Sequence, residues 1–282
     1  MRNFWCLFFC FWPIAALVLC WIAPDMNWAF PGNRESATPL GVRIDDLFYM
    51  ILVIVTIVFI ATHTALGYAL WTGSRTEKTK ASFTHGSHNL EVIWTIVPSG
   101  ILLFIALYQM DVWAQYRIKS NFPEEARGAA IAEVTARQFE WRIRYPGLDK
   151  DGKPLKLSQN PQPTDLYTVN DLHVPVNEAV KIQLRSGDVQ HSFFVPDLRV
   201  KQDAVPGQII PIWFEVTRSG EFDLTCAELC GWGHYKMRGR VVAESQEEFH
   251  EYLKKLQQEQ SYDGVGKQDD PSLAQNKLEV QQ

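Results

Sequence analysis

Two thiols, an imidazole and a thioether fall close together in one run of the chain, Cys226-Ala227-Glu228-Leu229-Cys230-Gly231-Trp232-Gly233-His234-Tyr235-Lys236-Met237. Sulfur and imidazole donors together suit copper, whereas calcium and magnesium take oxygen ligands. The cysteines are separated by three residues, not by the two of most zinc knuckles. Gly231 and Gly233 follow the second cysteine and allow the tight turns that a ligand loop needs. A second imidazole, His191, lies upstream in Asp188-Val189-Gln190-His191-Ser192-Phe193-Phe194-Val195-Pro196, where aromatic and branched neighbours are expected to shield a metal from water. Taken alone, a cysteine pair in an exported domain reads as a disulfide, and a nearby Met or His as packing. The joint pattern of all these positions points instead to a metal.

The elements that must position these groups begin with a membrane anchor. The chain has 282 residues and is 46% apolar, yet its mean hydropathy is only -0.13, so apolar residues are concentrated in part of it. A net charge of -5 and a pI near 5.8 argue against nucleic acid as a partner and allow attraction of a basic one. Of the five cysteines, Cys6, Cys10 and Cys20 lie in the apolar N-terminus and read as small hydrophobes. With no Cys-x-x-Cys-His run, the chain carries no covalent c-type haem. Residues 3–23 are apolar and long enough to span; a signal peptide is the competing reading, and a retained helix is preferred because no clear cleavage site follows. Residues 24–44, with Trp28 and Phe30, read as an interfacial loop. A second span runs from about Leu47 to Trp71 and a third from about Leu90 to Val112. The basic stretch from Ser74 to Lys80 between them predicts a cytoplasmic loop, so the chain returns to the outer side after the third span. His63 within the second span is expected to be a neutral imidazole bonded to a neighbouring helix, since no acidic residue lies within a turn or two.

Beyond Trp113 the composition changes. Residues 130–145 alternate in polarity and read as a half-buried strand that Pro146-Gly147 ends, and 148–168 as a long surface loop. Further short strands are expected around Leu172–Val176, Ala179–Leu184, Ile209–Thr217, Gly220–Thr225 and Met237–Ala243, the pattern of a sandwich or barrel. Residues 246–259 read as an amphipathic helix, and Ser261 to Gln282 as a polar, disordered tail. The domains are thus 1–44, an apolar segment and outer loop; 45–113, a transmembrane hairpin; 114–260, a β domain with its C-terminal helix; and 261–282, the tail.

The loop resembles the binuclear copper (CuA) loop of subunit II of haem-copper cytochrome c oxidases, Cys-x-Glu-x-Cys-Gly-x-Gly-His-x-x-Met, and the upstream segment is similar to that family's Asp-Val-x-His-Ser-Phe-x-Val-Pro. Independently, Leu90-Glu91-Val92-Ile93-Trp94-Thr95-Ile96-Val97-Pro98 resembles its second-helix motif. The resemblance covers roughly residues 40–255 and implies a membrane-anchored α plus all-β fold: a transmembrane helical hairpin, here with an extra N-terminal helix, followed by a cupredoxin-like Greek-key β-barrel. It implies that Cys226 and Cys230 bridge two coppers, that His191 and His234 are terminal ligands, that Met237 supplies a weak thioether and Glu228 its carbonyl, and that the Glu228 side chain reaches a magnesium ion (Mg2+) shared with subunit I. Glu91 would stand at the mouth of a proton pathway; complementing the helix dipole is the plainer role for an acid there. The implied function is to accept electrons from a c-type cytochrome and pass them to haem a of subunit I for reduction of oxygen coupled to proton translocation, with haems only in the partner subunit. The implied place is a bacterial-type cell membrane, with the copper domain on the outer or periplasmic side.

One departure stands out. Gln138-Phe139-Glu140-Trp141 aligns with the family's Gln-Trp-x-Trp, whose first Trp is the expected donor contact; here it is Phe139, while Trp141 is kept. The cytochrome's docking pose, or the donor itself, is then expected to differ, for instance as a cytochrome domain held in a respiratory supercomplex, unless Phe simply fills the same contact. Phe139, Trp141, Asp188 and Asp223, with Glu221, are the expected donor contacts, the acids steering a basic cytochrome. The rival readings are the CuA subunit of a nitric oxide reductase and a membrane-anchored copper carrier; a carrier needs an open, exchangeable site, which this filled ligand set does not suggest.

Overall fold

The structure, a computed structural model, describes residues 2–26, 28, 35–75, 83 and 85–262. Most of the basic stretch expected to lie in the cytoplasm, Phe30 and most of the C-terminal tail fall outside the described residues. The chain divides into two compact units, Met1–Ser36 with Val42–Ala114, and Ala37–Gly41 with Gln115–Gln282.

The first unit is helical: α1 (Arg2–Ile22), most of α2 (Pro39–Arg75), α3 (His88–Tyr108) and the start of α4 (Met110–Arg117). Pro39–Gly73 and His88–Tyr108 are long and apolar enough to cross a membrane, and their apolar side chains point outward rather than into a protein core. Ile54, Ile57 and Val58 of α2 face Ile96, Val97, Ile101 and Phe104 of α3 across an apolar cleft. On α1, the Cys10 thiol lies beside Gly67, where a Cβ would approach it to 2.9 Å, so glycine there admits the neighbouring helix. His63 is satisfied differently from expectation. Its Nδ1 lies 2.9 Å from the carbonyl of Phe59 on its own helix, and its ring packs against Phe59 and, from α1, Phe9.

α2 starts earlier than its apolar run suggests. Pro39 occupies the first helical turn, where its missing N–H costs nothing, and Thr38 Oγ1 accepts the Gly41 N–H at 2.9 Å as an N-cap. Residues read as outer loop therefore open the helix, and Ala37–Gly41 belong to the β unit. Ala37 N–H donates to Asp197 O, Thr217 N–H donates to Ala37 O, and Thr38 Oγ1 donates to Leu198 O.

The second unit holds β1 (Ala132–Arg137), β2 (Glu140–Tyr145), β3 (Leu166–Val169), β4 (Asp171–Pro175), β5 (Ala179–Ser186), β6 (His191–Val195), β7 (Val200–Ala204), β8 (Ile210–Glu215), β9 (Gly220–Cys226) and β10 (Arg238–Glu244). Two five-stranded sheets, β3-β2-β1-β5-β8 and β4-β10-β9-β6-β7, enclose one core that includes Trp141, Ile143, Tyr145, Leu172, Ile182, Leu184, Phe193 and Leu224. Bridges Val176–Val216 and Ser186–Pro206 join the two sheets, giving the expected cupredoxin-like Greek-key barrel. The stretch 130–145 is not one strand but the hairpin β1–β2, paired from Glu133–Arg144 to Arg137–Glu140. Its turn is the two residues Gln138-Phe139. A two-residue turn preserves the parity of a period-two pattern, so the alternation runs through it unbroken. β3, β6 and β7 are also absent from the sequence reading; all three are short, and β7 is a polar edge strand.

Helix α5 (Gln246–Tyr262) closes one side with Phe249 and Leu253 buried and Tyr252 stacked on His173. Ser245 and Glu248 form a reciprocal capping box at its start. Between the hairpin and β3, the long loop is held by a buried cation. Arg144 meets Glu133 at 3.0 Å, Asp165 at 2.6 Å and the Ser158 carbonyl at 3.0 Å, with all three charged side chains almost fully buried. Removing one member of such a cluster strands the others without water, at about 3–5 kcal/mol. Arg144→Met is therefore expected to lower the unfolding free energy by that amount in denaturant titration followed by tryptophan fluorescence. An unchanged midpoint would mean that the loop is held by other contacts.

Candidate metal centre

The ligand residues meet because two neighbouring strands end together. His191 opens β6, Cys226 closes β9, and the strands pair at Phe193–Cys226. The Ala227 N–H donates to Ser192 O and the Cys226 N–H to Met237 O, which pins both ends of the intervening loop. Within it, Gly231 adopts φ +133°, a conformation that side-chain-bearing residues rarely take. A Cβ at Gly233 would lie 2.4 Å from the Phe139 ring, so only glycine lets the hairpin turn lie against the loop. A short 3-10 turn, His234–Lys236, then brings His234 and Met237 to the same side.

The result is a compact set of donors. The Cys226 and Cys230 sulfurs are 3.9 Å apart, too far for a disulfide and near enough for one ion to touch both. Around the sulfurs lie His191 Nδ1 at 3.8 Å and the Glu228 carbonyl at 3.2 Å from Cys226 Sγ, and His234 Nδ1 at 3.6 Å and Met237 Sδ at 3.9 Å from Cys230 Sγ. The ligand atoms of His191, Cys226 and Cys230 all fall within 4.8 Å of one another. His191, Met237 and both cysteines are buried. All six residues expected as ligands are thus brought together, with the backbone of Glu228 turned inward and its side chain exposed.

The electrostatics favour a cation here. Burial pushes the Cys226 thiol up, but its contacts with the His191 imidazole and with backbone groups outweigh that and bring it down to about 6. Burial and the charge of Cys226 push the Cys230 thiol up to about 12. Ionising one thiol opposes ionising the other, so two thiolates at this separation need positive charge between them. The soft donor set fits copper.

Asp188 is placed differently from expectation. Its Oδ1 accepts the His191 Nε2–H at 2.8 Å and the Val189 N–H at 2.7 Å, and its Oδ2 accepts the Gln138 N–H at 2.8 Å. This keeps the His191 proton on Nε2 and turns the Nδ1 lone pair toward the sulfurs. The carboxylate is engaged with an imidazole rather than offered to a passing cytochrome. Glu221 is likewise paired with Arg240 at 3.2 Å, and Asp223 lies exposed on β9 in register opposite Arg240. Trp141 also departs from the expected donor contact, because it is fully buried with its ring 6.4 Å from that of His191, and it supports the ligand from beneath. Phe139 is half-buried over Gly231 and Gly233 and meets Trp232 edge-on at 5.2 Å. The sequence reading assigned no role to Gln138, whose side-chain amide donates to the Cys230 carbonyl at 2.5 Å and whose backbone binds Asp188. Glu91 is in the first turn of α3, in the helical unit.

Partners of this kind typically contribute 10–100-fold to metal affinity. Asp188→Ala is expected to weaken copper retention by about that factor in competition against a chelator, while the fold survives by far-UV circular dichroism. Unchanged retention would show that His191 is oriented by packing against Trp141 alone.

Residues 136–245 match the family described as cytochrome c oxidase subunit II, periplasmic domain, and residues 26–112 match its transmembrane domain. The alternative cytochrome c oxidase subunit 2 of Bradyrhizobium diazoefficiens is 32% identical over 248 residues, covering 81% of this chain and 85% of that protein. The cytochrome c oxidase subunit 2 of Cereibacter sphaeroides is 33% identical over 245 residues, covering 79% and 78%. Among solved structures, the periplasmic domain of subunit II of cytochrome oxidase from Bradyrhizobium japonicum is similar at 31% identity, covering 45% of this chain and 93% of that one with a TM-score of 0.37. With both halves of the family matched and with relatives aligned over most of their length, the chain belongs to the cytochrome c oxidase subunit II family.

Proposed function

We propose that this chain receives electrons from a c-type cytochrome at a binuclear copper centre and delivers them to haem a of subunit I, where oxygen is reduced and protons are translocated. The observation that carries this reading is the convergence of both thiols, both Nδ1 atoms, the thioether and one carbonyl on one buried spot. Cys226 and Cys230 would bridge two coppers, His191 and His234 would be terminal ligands, and Met237 and the Glu228 carbonyl would complete the set. When bound, the copper pair supplies a one-electron store whose odd electron is shared across both ions.

The chain's own residues make that store efficient. Two thiolates holding such a pair would spread the added charge over several atoms, so that each ligand would move little on reduction. Trp141, Phe193 and the surrounding strands exclude water, which keeps the polar response to the charge small. Asp188 fixes one imidazole, and the backbone clamp between Cys226 and Met237 fixes the loop's two ends. Met237 is buried at 3.9 Å from Cys230, in place to tune the potential as a weak ligand. The exposed Glu228 carboxylate is free to reach a magnesium ion shared with subunit I while its carbonyl faces Cys226. The acids reading of the donor surface is narrowed to Asp223, since Asp188 serves His191 and Glu221 is paired. The basic residues Arg75, Lys78 and Lys80 between the two spans support a cytoplasmic loop and hence a copper domain on the periplasmic side. Glu91, an acid at the start of α3, is proposed to collect protons for the partner subunit's pathway.

Cys226→Ser or Cys230→Ser should abolish the near-infrared absorption of the copper pair, because each sulfur touches both ions in this reading. Persistence of that band in either variant would contradict it. Co-purification of haem a with the wild-type chain separates an oxidase subunit from a copper carrier.

Glu91→Gln keeps shape and removes a titratable proton. It should slow steady-state oxygen consumption and proton uptake while the copper band and its reduction by cytochrome stay normal. Normal turnover would leave Glu91 only its favourable interaction with the helix dipole.

A further inference from the structure

The ligand loop displays side chains that its own packing does not use. Leu229 and Trp232 are each 79% exposed and Tyr235 is 69% exposed. Each sits beside a ligand in the chain: Leu229 precedes Cys230, Trp232 lies between Cys230 and His234, and Tyr235 follows His234. The same loop that turns its donors inward therefore turns three large side chains outward, at positions 229, 232 and 235. Exposed patches of this kind mark interaction surfaces, and tryptophan is the residue most enriched among those that dominate binding energy.

The indole of Trp232 is also held in place. Its ring meets Phe139 edge-on at 5.2 Å, and Lys236 Nζ lies 5.5 Å from the centroids of both Trp232 and Tyr235. Phe139 itself is not the outward group. It is half-buried, packed against the core, and fills the space over Gly231 and Gly233, where a Cβ would clash with it. Position 139 thus acts as a bracket under the loop, and position 232 carries the exposed ring. Holding a large amphipathic side chain rigid before contact lowers the ordering cost of binding.

We infer that Trp232 is the principal contact for the electron donor, a c-type cytochrome that docks through the apolar rim of its haem edge. This inference rests on the proposed role of the loop as the electron-receiving centre. The charges nearby favour an apolar contact over electrostatic steering. Asp188 is bonded to His191 and Glu221 is paired with Arg240, which leaves exposed Asp223 as the one remaining acid of the three, and the cation Lys236 stands at the patch itself. The step served is a one-electron transfer, in which the donor's haem iron goes from ferrous to ferric and one electron reaches the centre held by the six donors. The indole makes and breaks no bond; it sets the distance and orientation of the two redox groups.

The test uses the whole oxidase complex carrying Trp232→Leu or Trp232→Phe, with soluble cytochrome c as the probe. Affinity for the oxidised, non-turning-over enzyme, the rate of reduction at saturating ferrocytochrome, and reduction by a small ruthenium ammine complex are measured beside the near-infrared band. Trp232→Leu is expected to weaken cytochrome binding by about tenfold or more and to slow reduction by cytochrome. The near-infrared band and the small-reductant rate should be unchanged, Trp232→Phe should fall between, and wild-type affinity should vary little with salt. Wild-type affinity and rate in Trp232→Leu would overturn the inference. So would loss of the haem-bearing subunit from that variant, which would assign the patch to subunit contact. A wild-type complex with no near-infrared band would sink the copper reading and this inference together, whereas an intact band with an indifferent Trp232 would sink this inference alone.

Discussion

Two sulfur atoms held 3.9 Å apart in a buried site repel one another as soon as both ionise, and much of the β domain's local structure answers to that constraint. Burial raises the cost of each charge, and the first thiolate raises the cost of the second. The surrounding groups do not relieve this with a cationic side chain among the inner donors. They supply neutral imidazole, thioether and carbonyl atoms, which leave the positive charge to come from metal. A site of this kind is stable as a thiolate pair only when loaded, so metal retention and the integrity of the loop are linked.

Holding the donors so close requires the backbone to be fixed from both sides. The strand ladder does this at the base, through β6, β9 and the bond from the Cys226 N–H to the Met237 carbonyl. The β1–β2 turn does it from above. Gln138 binds both Asp188, which orients His191, and the carbonyl of Cys230, while Phe139 presses on two glycines of the loop. One two-residue turn therefore touches the His191 segment and the cysteine segment at once. The buried Arg144 cluster lies on the same hairpin and ties it to the long loop that follows, so the turn is carried on a rigid support.

The two units of the chain divide the physical work. Along α2, His63 and Thr62, Thr64 and Thr72 bond carbonyls one turn back on their own helix, which leaves an apolar exterior suited to lipid. In the β unit, polar satisfaction is long-range, as in the Arg144 cluster and the bond between Asp188 and Gln138. The family's membrane anchoring and its redox domain thus rest on opposite solutions to the same requirement that buried polar groups be paired.

By itself, the sequence determined the kinds of donor, because soft sulfur and imidazole at close spacing have few uses other than a metal. It determined the two spans, since an unbroken apolar run has no stable place in water, and most of the barrel's strands, since alternation is imposed by burial of one face. It also marked position 139 as unusual. Only the tertiary structure decided what lies across the chain from the ligands. Asp188 reads from sequence as a surface acid, and its bonds to His191 and to Gln138, 50 residues away, depend on the packing of two strands and a turn. Trp141 reads as a surface aromatic, and it is the sheet's pleat that turns it beneath His191. The hairpin turn at Gln138-Phe139 escaped because two residues leave a period-two pattern in phase. Local periodicity reports which face of an element is buried; which partner is buried against it is set by distant residues meeting, and that is where the orientation of this site was fixed.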